Sequence, residues 1–241
     1  MAGSREKKRD PKASLALLWG EQDQPRRGPK PSLTAERIVA GAIEIADAEG
    51  LDAVSMQRVA AELDVTTMAL YRYFPGKAEL VDLMVDSALG TPSEAIGRVP
   101  GWRPQLTEWA RQCWALYRHH PWILTATTMR RQLMGPNQLA WLDAALAALA
   151  PTGLPAAQQH DTVLLVIGHI RGLAQQLVDD DEEGNEEWNR LAGDVLERHG
   201  HRFPALAAAI AAGAFAPQDQ DPLDFGLERI LDGVTPLIDG R

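Results

Sequence analysis

The chain has 241 residues, 45% of them hydrophobic and 24% charged, with a net charge of −9, which is the balance of a globular protein large enough to bury a real core. No apolar stretch is long enough to span a membrane, the polar and basic N-terminus gives no reason to expect a signal peptide, and the single Cys113 has no disulfide partner within the chain. A cytoplasmic protein is therefore expected, and the acidity is uneven: residues 1–77 carry 12 Lys/Arg against 11 Asp/Glu, and 78–241 carry 12 against 22.

Residues 1–32 read as a flexible basic extension. Residues 1–12 are dense in charge and are expected to be disordered. Leu15, Leu17, Leu18 and Trp19 form a short apolar run, expected to make one or two helical turns packed on the neighbouring domain. Arg26, Arg27 and Lys30, kinked by Pro29 and Pro31, form a basic arm. The arm either follows DNA, with an arginine in the minor groove, or is a solvated linker.

Thr34 and Gly50 then bound an amphipathic helix with Ile38, Ala42, Ile45 and Ala46 on one face. Ser55 can cap a second helix that turns Val59, Ala60 and Leu63 inward. A turn is expected at 63–65, where Asp64 tolerates turn geometry. A third helix starts near Thr66, turns Leu70 and Phe74 inward, and stops at Pro75 and Gly76. Lys77 opens a fourth, with Leu80, Leu83 and Met84 inward. Two short helices joined by a tight turn are the helix-turn-helix layout, whose second helix enters the DNA major groove. Thr66, Thr67 and Met68 then meet base edges. Thr can hydrogen-bond a base, and Thr or Met can pack on a thymine methyl.

Over 33–88 the chain resembles the TetR family of one-component transcriptional repressors. The resemblance is carried by Ala46, Gly50, Ser55, Val59, Ala60, Leu63, Val65, Leu70, Tyr71, Phe74 and Lys77, in the family's order and spacing. Asp64 stands where the family most often has Gly. The resemblance implies an all-α protein: a three-helix DNA-binding domain at 33–88 and a larger helical ligand-binding and dimerisation domain at 89–241. It also places Gln57 and Arg58 where the family reaches bases or nearby phosphates. Gln can read adenine and Arg can read guanine. Tyr71 and Tyr73 resemble backbone-contacting positions, and Lys77 a phosphate anchor. Ser55 is grouped with this DNA-facing set.

Gly90, Pro92, Pro100, Gly101 and Pro104 mark a boundary. Beyond it, helices are expected near 104–119, 121–131, 136–150, 155–178, 186–199, 203–213 and 222–239. No strand-like period of two appears. His120, Pro121 and Trp122, the segment 135–139, and the segment 224–233 resemble the TetR-class C-terminal regulatory domain more loosely.

Val163, Val166 and Ile170 make one apolar seam, and Leu227, Ile230, Leu231 and Val234 another. Family members pair two such helices from each subunit into a four-helix bundle, so both seams are expected at a homodimer interface. The alternative is that both are intramolecular core. Trp109, Cys113, Trp114, Tyr117, Trp122, Met129, Met134 and Trp141, with Gln138, Ile167 and His169, are the candidates to line an apolar ligand pocket. The alternative for each aromatic is plain core.

The histidines fit no zinc spacing, and the acidic run at 179–187 lacks the EF-hand spacing, so neither metal nor cofactor is expected. No nucleophile or phosphate-loop signature supports an enzyme. The expected protein is a dimeric, ligand-responsive repressor with operator DNA and a small effector as partners, and no membrane. A DNA-binding activator, or a regulator without ligand control, is the alternative.

Overall fold

The computed structural model describes residues 11–21, 33–128, 134–177, 182–214 and 221–240. Among these the regular structure is entirely helical. No described helix is long and apolar enough to cross a membrane. The arm residues Arg26, Arg27 and Lys30, and Met129, lie outside the described residues.

Pro11 opens α1 (Pro11–Leu18), since its fixed φ suits a first helical position. Pro11 and Lys12, expected in a disordered tail, thus belong to a helix. Leu17 of α1 packs against the core of the next unit.

Capping chemistry sets that unit, the head. Thr34 Oγ1 accepts from Arg37 N at 3.2 Å and starts α2 (Ala35–Glu49). Ser55 Oγ accepts from Arg58 N at 3.1 Å and starts α3 (Met56–Glu62). Thr66 Oγ1 accepts from Ala69 N at 3.3 Å and starts α4 (Thr67–Leu70). Each bond satisfies an orphan N–H of a first turn. Between α3 and α4, Asp64 has φ +54°, the left-handed turn expected of it. α4 is shorter than the sequence pattern promised. Its chain continues as turns to Phe74, whose N–H still reaches Leu70 O at 3.0 Å. Pro75 disfavours helical geometry in Phe74, so no helix runs on beyond these turns. α5 (Lys77–Leu89) closes the head, and α1 packs against it. Ile38, Val59, Leu70, Phe74, Leu80 and Met84 are fully buried between α2 and α5. Leu83, expected inward, is half-buried.

The body follows. A short α6 (Ala95–Arg98), which the proline-rich boundary concealed, leads into α7 (Trp102–His119) and α8 (Trp122–Thr128). Then come α9 (Pro136–Leu149), α10 (Ala156–Leu177), α11 (Glu182–His199), α12 (Pro204–Ala211) and α13 (Pro222–Asp239). Its core joins α7, α9, α10 and α13 through Leu106, Leu149, Ile170, Leu223, Leu227 and Leu231. Each such side chain contributes roughly 1.5–3 kcal/mol by burial.

This packing corrects the expected dimer seams. Val163, Val166, Ile170, Leu227, Leu231 and Val234 are buried within one chain, and Ile230 is half-buried against the same core. The apolar period was legible, but α10 and α13 spend it on each other and on α7.

Two close approaches fix the body's geometry. Gly135 precedes α9, and a Cβ there would overlap the Asp86 carboxylate. Asp86, on α5, accepts from Gln138 N at 3.0 Å and Asn137 N at 3.4 Å, so the head's last helix caps α9. Gly226 on α13 meets the His169 ring, which a Cβ would strike.

Candidate functional site

Two surfaces have functional potential: the outer face of the head and a cavity in the body.

On the head, Met68 is 73% exposed and Tyr71 47% exposed, at and just beyond the short α4. Thr67 lies beside them half-buried, and Gln57 is exposed on α3. These side chains form one outward patch around the two short helices. Ser55 and Thr66 are the caps, so their side-chain oxygens serve the fold first. Lys77 Nζ donates to Leu51 O at 3.3 Å, and Tyr73 Oη donates to Leu33 O at 2.6 Å. Tyr73 therefore ties α2's entry to the head before it offers anything outward.

Arg58 is engaged more fully. It bridges Glu49 at 2.8 Å and Glu62 at 2.7 Å. The Glu49 bond, then the Glu62 bond, pushes the guanidinium pKa further up. In the free protein Arg58 braces α2 to α3, and reading guanine would require it to leave two carboxylates. Glu49 went unnoticed in the sequence because it sits nine residues away on another helix, whereas Glu62, four residues on along α3, had a readable spacing and was missed.

The body cavity has a volume of about 380 Å³, within the range of small-molecule sites. Trp109, Cys113, Tyr117, Met134, Gln138, Trp141 and Ile167 line it, as the sequence suggested. Leu89, Leu116, Ile123, Leu142, His160, Val163, Leu164 and Arg171 line it too and were missed. The signal was present: 160, 163, 164, 167 and 171 are one face of a helix at spacings of three and four.

The aromatic walls are organised by backbone bonds. Trp109 Nε1 donates to Trp141 O at 2.8 Å, and Trp141 Nε1 donates to Gly90 O at 3.0 Å. The two rings meet edge to face with centroids 6.4 Å apart. Their polar handles are thus spent on the frame. Burial pushes the Cys113 thiol well above its ordinary range, so it is a small protonated wall residue. Burial likewise raises Tyr117, against the opposing pull of Arg171.

Three expected lining residues lie elsewhere. Trp114 packs at the side of the body core, outside the lining. His169 Nε2 faces Leu223 O at 3.3 Å in the α10–α13 contact. Trp122 belongs to the head's core instead. Its Nε1 donates to Asp47 Oδ1 at 2.6 Å, and His120 Nδ1 lies 2.7 Å from the same oxygen. Both residues stand where α7 ends and α8 begins, so the chain turn aims them at α2 and not at the cavity. α8 therefore touches both sites: Trp122 grips the head, and its neighbour Ile123 lines the cavity.

Comparison with known proteins agrees with both halves. Residues 38–84 match the tetR family of bacterial regulatory proteins, and residues 98–238 match the tetracycline-repressor-like C-terminal domain. The HTH-type transcriptional repressor DrrR1 of Streptomyces coeruleorubidus is 40% identical over 238 residues, covering 95% of this chain and 87% of DrrR1. The crystal structure of the TetR family protein ActR of Streptomyces coelicolor in complex with actinorhodin matches with a TM-score of 0.72 at 29% identity, covering 85% of this chain and 96% of that one. Apo ActR matches with a TM-score of 0.70 at 27% identity, covering 88% of this chain and 99% of that one.

Proposed function

Because the chain belongs to the TetR family of transcriptional regulators, and not to an enzyme family, we propose that it is a homodimeric repressor released from a near-palindromic operator by a small amphipathic effector. The observation that carries this reading is the shared helix α8, with Ile123 on the cavity wall and Trp122 on Asp47 of the head. An effector that reshapes the cavity acts directly on the piece that holds the reading head. The relatives support the reading: DrrR1 is named a repressor, and ActR has been solved with actinorhodin.

Contacts to DNA fall to the exposed patch. Thr67 and Met68 face base edges, while Tyr71 and Lys77 face the phosphates. Twofold symmetry would set two such patches about 34–36 Å apart, one turn of duplex.

The dimer face is the opposite side of the helices first suspected. On α10, Leu165 is 58% exposed, with Gly168 and Gly172 beside open space. On α13, Phe225 is 57% and Leu237 50% exposed. The Leu165 face of α10 and the Phe225 face of α13 are the candidate four-helix interface, and Gly168 and Gly172 permit close helix approach.

The test is linkage. A compound that quenches Trp109 and Trp141 by entering the cavity should weaken operator binding, and operator should weaken the compound by the same factor. A compound that fills the cavity and leaves operator affinity unchanged would contradict this induction scheme.

A further inference from the structure

Arg171 projects from α10 into the cavity wall. Its guanidinium donates to three neutral oxygens: Tyr117 Oη at 3.1 Å, Thr127 Oγ1 at 2.7 Å and Thr128 Oγ1 at 3.1 Å. Arg58, Arg98, Arg103, Arg111 and Arg229 each meet a carboxylate, whereas the exposed Arg198 bonds a backbone carbonyl. Among the described residues Arg171 meets none, and no Asp or Glu lines the cavity. A guanidinium does not shed its proton, so the charge stands permanently against an apolar wall.

A second donor converges on the same place. Tyr117 Oη accepts from Arg171 and donates to no described group, so its proton is available. Trp109 and Trp141, in contrast, have their N–H groups on backbone carbonyls and offer only ring faces. The cavity is thus an apolar space with aromatic faces and one cationic, donor-rich corner.

We propose that the effector is an aromatic acid, ionised at neutral pH, whose anionic oxygens are held by Arg171 and Tyr117 while its rings lie against the aromatic wall. This rests on the cavity being the effector site. An anion supplies the counter-charge the corner lacks, at a half-buried guanidinium that can make charge-assisted bonds. A cationic effector meets repulsion there. The anion also competes with Thr127 and Thr128 for the guanidinium. Both hydroxyls, on the last turn of α8, donate to the carbonyls of Ile123 and Leu124 near its start, so capture of Arg171 reaches the helix that grips the head.

The test uses three matched probes: anthraquinone-2-carboxylate, its neutral carboxamide and 2-(aminomethyl)anthraquinone, an ammonium. Each is titrated into the full-length protein at neutral pH, with tryptophan emission as the readout. The expected order is carboxylate tightest, by about tenfold over the carboxamide, and the ammonium weakest. Arg171→Gln should equalise carboxylate and carboxamide, and Arg171→Lys should keep part of the difference. If Arg171→Gln lowers Tm, the Lys variant and the wild-type acid-to-amide ratio decide. Equal binding of carboxylate and carboxamide by the wild-type protein, or tightest binding of the ammonium, overturns the assignment of an acid and leaves the effector cavity standing. Failure of all three probes to bind the folded protein overturns the effector cavity as well.

Discussion

The head and the body use similar helices for opposite ends. The head buries Ile38, Val59, Leu70, Phe74, Leu80 and Met84 and leaves Met68 and Tyr71 outside, where a macromolecule can meet them. The body keeps an apolar space inside, walled by Trp109 and Trp141, where only a small molecule fits. In the head, α2, α3 and α4 each start on a side-chain cap three residues away. The body's helices are set by partners that lie far off in the chain. A reading surface needs rigid local geometry, whereas a cavity needs helices fixed by distant contacts, as the close approach of Asp86 to Gly135 and Gln138 fixes α9.

Removing one side chain from each core gives the largest expected effects. Phe74→Ala in the head should cost about 3–5 kcal/mol and Leu231→Ala in the body about 2–5 kcal/mol, read by urea denaturation. A loss of less than one kcal/mol at Phe74 would mean that the head is not packed as described.

Next comes the surface proposed to join two bodies. Leu165→Glu should yield monomers in sedimentation and lower operator affinity on the order of a hundredfold, because the second reading head is no longer tethered. Val166→Ala, on the buried side of the same helix, should lower Tm while leaving the dimer intact. The reverse pattern would restore the seam first suspected from the sequence.

Within the head, Thr67→Ala and Met68→Ala should each cost about 1–3 kcal/mol, and only at particular base pairs. Lys77→Ala should weaken all sequences alike and reduce the salt slope by about one unit. A base-specific loss at Lys77 would count against a phosphate role.

The smallest effect belongs to Asp86, where head meets body. Burial, partly offset by the N–H bonds of Gln138 and Asn137, raises its carboxyl pKa. The folded chain holds that proton more tightly than the unfolded one. Stability from this group is therefore full at low pH and falls as pH rises through the folded value. The stability of wild type relative to Asp86→Asn should drop between acid and neutral pH. A difference that stays constant across that range would mean Asp86 is not perturbed.

What was legible in the sequence follows the same division. Ser55 and Thr34 act on N–H groups three residues ahead, so their roles could be read from spacing, while Thr66, expected at base edges, is a cap of the same kind. Asp64 took its left-handed turn for the same local reason. Arg58 could not be placed, because Glu49 reaches it across a helix junction. In the body the helix bounds were nearly all legible, but the neighbours of each face were not. Val166 and Ile170 showed an apolar stripe without showing that α13 of the same chain covers it. Trp122 and Trp109 look alike in sequence, yet one anchors the head and the other lines the cavity. Arg171 drew no notice, since a lone arginine gains meaning only from the absence of acid around it.

The most direct test of the central claim is selection of bound sites from random duplex DNA by the full-length protein at a stated salt concentration. A dimeric reading head predicts an inverted repeat whose half-sites are about one helical turn, or a small multiple of it, apart. Recovery of a single unpaired half-site, or of no motif by the folded protein, would contradict it.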